Sequence, residues 1–197
     1  MAAPALKITM ATIDDLAAIP EERRFHEILD GELTQKALPT PKHGRAQRRL
    51  SSRIDPYERR TRGPDGLGGW WFATEVEIEL APHQLLRPDI AGWRRERVPE
   101  PPDEWPCRAR PDWVAEVLSK GSERRDLFTK MAIYHIFQIP HYWILDPESR
   151  RLRVHRWAPP GYAVVLEASA GERVRAEPFD ALELSVLGLF DDDEAEE

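Results

Sequence analysis

Arg87-Pro-Asp-Ile90, Pro111-Asp-Trp-Val-Ala-Glu-Val-Leu-Ser119, Glu123-Arg-Arg-Asp-Leu-Phe-Thr-Lys130 and Tyr142-Trp-Ile-Leu-Asp-Pro147 are parts of one stretch on which the reading of this chain turns. Asp89 and Glu116 each lie inside a short apolar run, where a carboxylate is costly unless a cation partners it. Trp113–Leu118 reads as a strand, with Glu116 on the face shared by Val114 and Leu118. Ser122 caps a helix running to about Gln138, on which Asp126 and Lys130 stand one turn apart with Tyr134 next. Two readings of the acids follow. Carboxylates from adjacent strands can bind Mg²⁺ in an oxygen shell completed by water and a substrate phosphate, with Lys130 or Lys120 orienting the water. Alternatively, Asp89 accepts hydrogen bonds in a strand bulge, and Glu116 pairs structurally with Arg87 or Lys130.

Working outward, Leu85–Trp93 reads as the strand that carries Asp89, with Pro88 at an edge or bulge. Trp70–Leu80 reads as its neighbour, since Val76, Ile78 and Leu80 alternate with Glu75, Glu77 and Glu79. Upstream, Thr12 opens a short helix, and Asp30-Gly31 makes a hairpin of Phe25–Leu29 and Glu32–Gln35. Thr40-Pro41 starts a basic helix striped by Ala46, Leu50, Ile54 and Tyr57. The glycine loop 63–69 lacks the Lys-Ser/Thr of a phosphate-binding loop and reads as a connector. Downstream, His141–Leu145 and Arg151–Trp157 form a hairpin, Tyr162–Glu167 adds a strand, and Leu182–Phe190 packs as a last element. Tyr142 and Trp143, adjacent on a strand, should face opposite ways. Mixed helices and hairpins around a strand–strand–helix unit give a single α/β or α+β domain.

At 197 residues, 41% hydrophobic and 32% charged, the composition is that of a globular domain with one sizeable core. No run approaches a membrane span, and the N-terminus lacks a secretory signal. The lone Cys107 cannot form an internal disulfide, so a reducing cytoplasm is the expected setting; no catalytic cysteine signature surrounds it. The net charge of −7 is concentrated at the end: six of the 35 acids lie in 191–197, leaving 29 against 28 Lys plus Arg. That tail reads as a disordered appendage to a domain spanning 1–190. Basic clusters at 45–49, 59–62, 94–97 and 124–125 suit phosphate contacts, though such runs are more often solvated faces.

Pro88-Asp89, Glu116-Val-Leu-Ser119, Arg124-Arg-Asp126, Lys130, Tyr134 and Pro140-His-Tyr-Trp-Ile-Leu-Asp-Pro147, taken in order, resemble the Uma-two family of restriction endonuclease-like proteins in the PD-(D/E)XK nuclease superfamily. Phe25-His-Glu-Ile-Leu-Asp-Gly-Glu-Leu33 resembles that family's opening hairpin and Pro41-Lys-His43 its histidine-bearing helix start, so the likeness runs from about Ile13 to Phe190. The resemblance implies a restriction endonuclease-like core, a central mixed sheet flanked by helices. It implies a metal-dependent endonuclease cutting phosphodiester bonds, with DNA as the expected partner. Asp89, Glu116 and the Val117 carbonyl would hold Mg²⁺ or, in its place, Mn²⁺. Lys130 would be the catalytic lysine, supported by Asp126, His43 and Glu27, although a hairpin glutamate is more often solvated. A homodimer would suit cleavage of both strands. Leu118 stands where the wider superfamily carries lysine. That leaves open a module that binds nucleic acid or a protein partner without cutting.

Overall fold

The computed structural model describes residues 10–59, 61 and 63–191; the acidic run 192–197, expected as a tail, lies outside them, as do Arg60 and Arg62. Helix α1 (Ile13–Ala17) starts where the Asp15 carboxylate accepts from the Thr12 backbone N–H at 2.8 Å. Strands β1 (His26–Leu29) and β2 (Glu32–Gln35) are joined at Asp30 and Gly31, both at positive φ (50° and 78°), the conformation of the tightest hairpin turn. Helix α2 (Pro41–Ile54) begins at Thr40, whose hydroxyl accepts from the His43 N–H at 3.2 Å.

The next four strands differ from the sequence expectation. Trp70–Leu80 is not one strand but two, β3 (Trp70–Thr74) and β4 (Ile78–Ala81). The expected strand 85–93 likewise divides into β5 (Gln84–Leu86) and β6 (Ile90–Arg94). Both breaks fall at the same level. Glu75 takes a positive φ of 56° there, and its N–H donates to the Asp89 carbonyl at 3.2 Å. Opposite it, Pro88 has no N–H to continue a ladder. Each half joins a different sheet. The chain turns a corner here while its apolar/polar alternation continues through it, so periodicity alone conceals the break.

Strands β7 (Trp113–Val117), β8 (His141–Asp146), β9 (Arg151–Arg156) and β10 (Ala163–Ser169) complete a six-stranded sheet in the order β10-β9-β8-β7-β6-β3. Only β7 and β8 run parallel. Their crossover is helical from Glu123: a π-helical stretch, Arg125–Lys130, runs into α3 (Met131–Ile136). A smaller antiparallel sheet has the order β2-β1-β5-β4, and β11 (Arg173–Val174) pairs with β12 (Leu184–Ser185). The architecture is mixed α+β around a central mixed sheet.

Helices cover both faces. Ala46, Leu50 and Ile54 of α2 pack with Trp113, Ala115, Val117, Trp143 and Leu145, while Ile133 and Tyr134 pack with Val114, Tyr142 and Ile144. Tyr142 and Trp143 do face opposite ways. Phe179 lies 5.1–5.6 Å from the rings of Trp70, Phe72, Trp113 and Trp143, so the C-terminal segment seals the α2 side of the core. Leu184, Val186 and Leu189 are buried with it. Cys107 is buried in the opposite core, and burial pushes its thiol up, away from the reactive thiolate. Among the described residues no helix is long and apolar enough to cross a membrane.

His141 opens β8 largely buried, and burial with Arg94 and Arg156 nearby pulls its pKa from 6.5 to about 4. Between those values the unfolded chain binds a proton that the folded chain refuses, so stability falls as pH drops through that window. Going from about pH 7 to about pH 5 is expected to cost about 2 kcal/mol through this residue. By urea denaturation, His141→Gln should lose correspondingly less; equal losses in the two proteins would clear His141 of the effect.

Candidate active site

The corner between the two sheets meets the end of β7 and the π-helical stretch around a cavity of about 20 Å³, room for one water-sized group. Glu27, Lys36, His43, Asp89, Glu116, Val117, Ser122, Arg125, Asp126 and Lys130 line it. Every residue expected at the site is therefore brought together, although the sequence spreads them over a hundred positions. Lys120 is exposed on the loop beyond β7, and Leu118 packs among apolar residues on the α3 side.

Each side chain is held by its own element. Asp89 follows the Pro88 break, and its Oδ2 accepts from the Val117 N–H at 2.6 Å, which ties the corner to the end of β7. Gln47 on α2 donates to the Asp89 carbonyl at 2.8 Å and to Glu75 Oε1 at 3.3 Å. Glu116 points to the α3 side, where its Oε1 accepts from Lys130 Nζ at 2.9 Å and Tyr134 Oη at 3.0 Å. The π-helical stretch turns both Asp126 and Lys130 inward, with Nζ 3.6 Å from Asp126 Oδ1. Wide turns of this kind recur at functional sites. Tyr142 Oη donates to the Asp126 carbonyl at 2.8 Å and so braces that turn from the sheet. Glu27, for which solvation is the commoner fate, is fully buried. Its Oε1 accepts from Lys130 at 2.8 Å and from the Arg87 N–H at 2.8 Å, while Oε2 has no partner.

Two participants escaped the sequence reading. Lys36, just past β2, sends its ammonium to Asp89 Oδ1 at 2.7 Å and Glu75 Oε2 at 2.8 Å. Glu75 sits at the break between β3 and β4, also 3.2 Å from Arg87 Nε. The signal for Glu75 was masked by its place in an alternating Glu series, and nothing in the residues around Lys36 marks it out.

Burial and the neighbouring charges compete at each group. Burial would raise Asp89, but the Lys36 ammonium and the His43 ring beside it hold Asp89 below the usual carboxylate range. Burial raises Glu116 well above its ordinary value despite Lys130, with Asp89 and Asp126 adding to the rise. Asp126 is raised for the same leading reason. Burial alone would lower Lys130, yet Glu116, Glu27 and Asp126 around it keep the ammonium charged. A mostly oxygen donor set and an unpartnered, buried Glu27 oxygen fit a hard divalent cation.

Removing the Lys130 charge would leave Glu27 and Glu116 facing each other unpaired. Lys130→Met is expected to cost about 3–5 kcal/mol in chemical denaturation, and adding Glu116→Gln should recover part of that loss. Strict additivity of the two changes would show that the pair is not coupled.

No curated protein matches the chain. Its structure is similar to the crystal structure of "a putative nuclease belonging to DUF820 from Anabaena variabilis ATCC 29413", with a TM-score of 0.70 and 23% sequence identity, covering 91% of this chain and 97% of that one. At that identity the likeness speaks for the fold. The sequence profile of the Uma2 family, described as "Putative restriction endonuclease", matches residues 13–187, a span that takes in both large sheets and every residue of the cavity. The chain belongs to the Uma2 family.

Proposed function

We propose that this protein is a divalent-metal-dependent nuclease that hydrolyses phosphodiester bonds in DNA at the cavity between the sheet corner and the π-helical stretch. The observation that carries the reading is the convergence of Asp89, just ahead of β6, and Glu116, on the neighbouring β7, onto one buried cavity with a charged lysine against the second acid. Asp89, Glu116 and the Val117 carbonyl are the proposed holders of Mg²⁺, with Mn²⁺ as a substitute. When bound, the ion polarises a phosphoryl oxygen and acidifies a water.

The chain's own groups supply the rest. Lys130 and Tyr134 fix the orientation of Glu116, and the Lys130 charge in the cavity wall offsets negative charge developing on the phosphoryl group. Asp126 and Glu27 hold that ammonium in place. Outside the cavity, Arg45 on α2, with Arg125 at the rim, offers basic groups suited to a phosphate backbone, while Lys42 pairs with Glu148 at 3.2 Å. His43, buried at the head of α2, faces Asp89 from that side.

One observation favours a second reading, a module that binds nucleic acid without cutting: Leu118 packs in the core where a superfamily lysine would stand. Calorimetry with MgCl₂ and a plasmid-nicking assay separate the two. The wild type is expected to bind metal and nick DNA. Asp89→Asn and Glu116→Gln should each lower metal affinity by at least about 100-fold, beyond the upper end of what losing an outer-shell contact costs, and abolish nicking. Equal metal affinity in all three proteins together with no nicking would sink the nuclease reading.

A further inference from the structure

Asp89 has two carboxylate oxygens in different surroundings. Oδ2 is committed to the Val117 N–H. Oδ1 faces the other way in bonding terms, toward Lys36 Nζ at 2.7 Å and His43 Nε2 at 3.4 Å. Glu75 stands on the far side of that ammonium, its Oε2 2.8 Å from Nζ. One donor atom each from His43, Glu75 and Asp89 lie within 4.8 Å of one another, the spacing of ligands around a single ion. The imidazole adds an independent sign. His43 is 5% exposed; its Nδ1 makes no hydrogen bond, and its Nε2 meets Asp89 Oδ1 at 3.4 Å. A buried ring nitrogen without a partner is costly in a core, and the other, Nε2, is aimed at a carboxylate oxygen already holding a cation.

We propose that His43 Nε2, Glu75 and Asp89 Oδ1 form a second divalent-cation site whose position the Lys36 ammonium holds in the metal-free protein. Ions that accept an imidazole donor, Mn²⁺ or Co²⁺, enter it by displacing Lys36. The assignment goes beyond the catalytic reading, with which it shares Asp89 but not Glu116.

The chemistry supports both halves. An ammonium and a metal ion cannot occupy the same point between two carboxylates, so entry of one requires departure of the other. Lys36 lies in the non-repetitive segment between β2 and α2 and is partly exposed, so its side chain has a route to solvent. The remaining contacts of the set stay in place without it: Gln47 and Arg87 still hold Glu75, and the Val117 N–H still holds Asp89. The mixed nitrogen and oxygen donor set favours Mn²⁺ or Co²⁺ over Mg²⁺, which prefers oxygen alone.

Full-length metal-free protein titrated with MnCl₂ by calorimetry, then read by pulsed electron paramagnetic resonance for nitrogen coupling to Mn²⁺, tests the site without reference to activity. A nitrogen-coupled ion is expected in the wild type and in Glu116→Gln, and its loss in His43→Gln. Lys36→Met should bind that ion at least tenfold more tightly, with Lys36→Gln as the second variant should the first fold poorly by circular dichroism. Bound Mn²⁺ without nitrogen coupling, or unchanged affinity in both Lys36 variants, overturns this site and leaves the catalytic reading standing. Failure of the wild type and both Lys36 variants to bind Mn²⁺ overturns the two together.

Discussion

A lysine ammonium buried to 1% exposure is the constraint around which the rest of the site is arranged. In a low-dielectric interior such a charge persists only if several acids surround it. Lys130 finds Glu27 on the first hairpin, Glu116 on the central strand and Asp126 on its own helical turn. These partners come from the beginning and the middle of the chain. Satisfying one cation therefore ties the small sheet, the large sheet and the crossover helix into a single registry, and any slip of one element would strand a charge.

The same logic explains the second cation. The sheet corner brings Glu75 and Asp89 together because both long hairpin strands leave one sheet and join the other at the same level. Two carboxylates at a buried corner repel unless something positive lies between them, and Lys36 does so from a loop. Arg87 and Gln47 hold the outer side of Glu75. The acids that line the cavity are met by ammonium groups of the chain itself, Lys36 at Asp89 and Glu75, and Lys130 at Glu27, Glu116 and Asp126.

Helix α2 and the π-helical stretch act as jaws on opposite faces of the large sheet. α2 brings His43 and Gln47 to the Asp89 side, and the wide turn brings Asp126 and Lys130 to the Glu116 side. The aromatic packing of Phe179 against Trp70, Trp113 and Trp143 stabilises the sheet between them without entering the cavity. Precision at the site therefore comes from elements whose apolar faces are independently satisfied.

Much of this was legible in the residues. The Asp30-Gly31 hairpin, the Thr40 cap and the Trp113–Val117 strand follow from local signals: a turn dipeptide, a hydroxyl before proline, an apolar run. The helical crossover was expected too, but Ser122 does not cap it, its hydroxyl bonding back to Ser119 instead. The gathering of Asp89, Glu116, Asp126 and Lys130 was one of two readings that acids in apolar runs and an acid–lysine pair one turn apart left open, and the family resemblance favoured it. The tertiary structure decided the corner that cuts 70–80 and 85–93 into two strands each, since alternation of side chains continues across a bend and says nothing of which sheet a strand joins. It decided the fates of Glu27, Glu75 and Lys36 for the same reason. A charged residue in a hairpin or loop looks solvated until distant segments close over it, and the partner that makes its burial tolerable lies tens of residues away, beyond the reach of any local pattern.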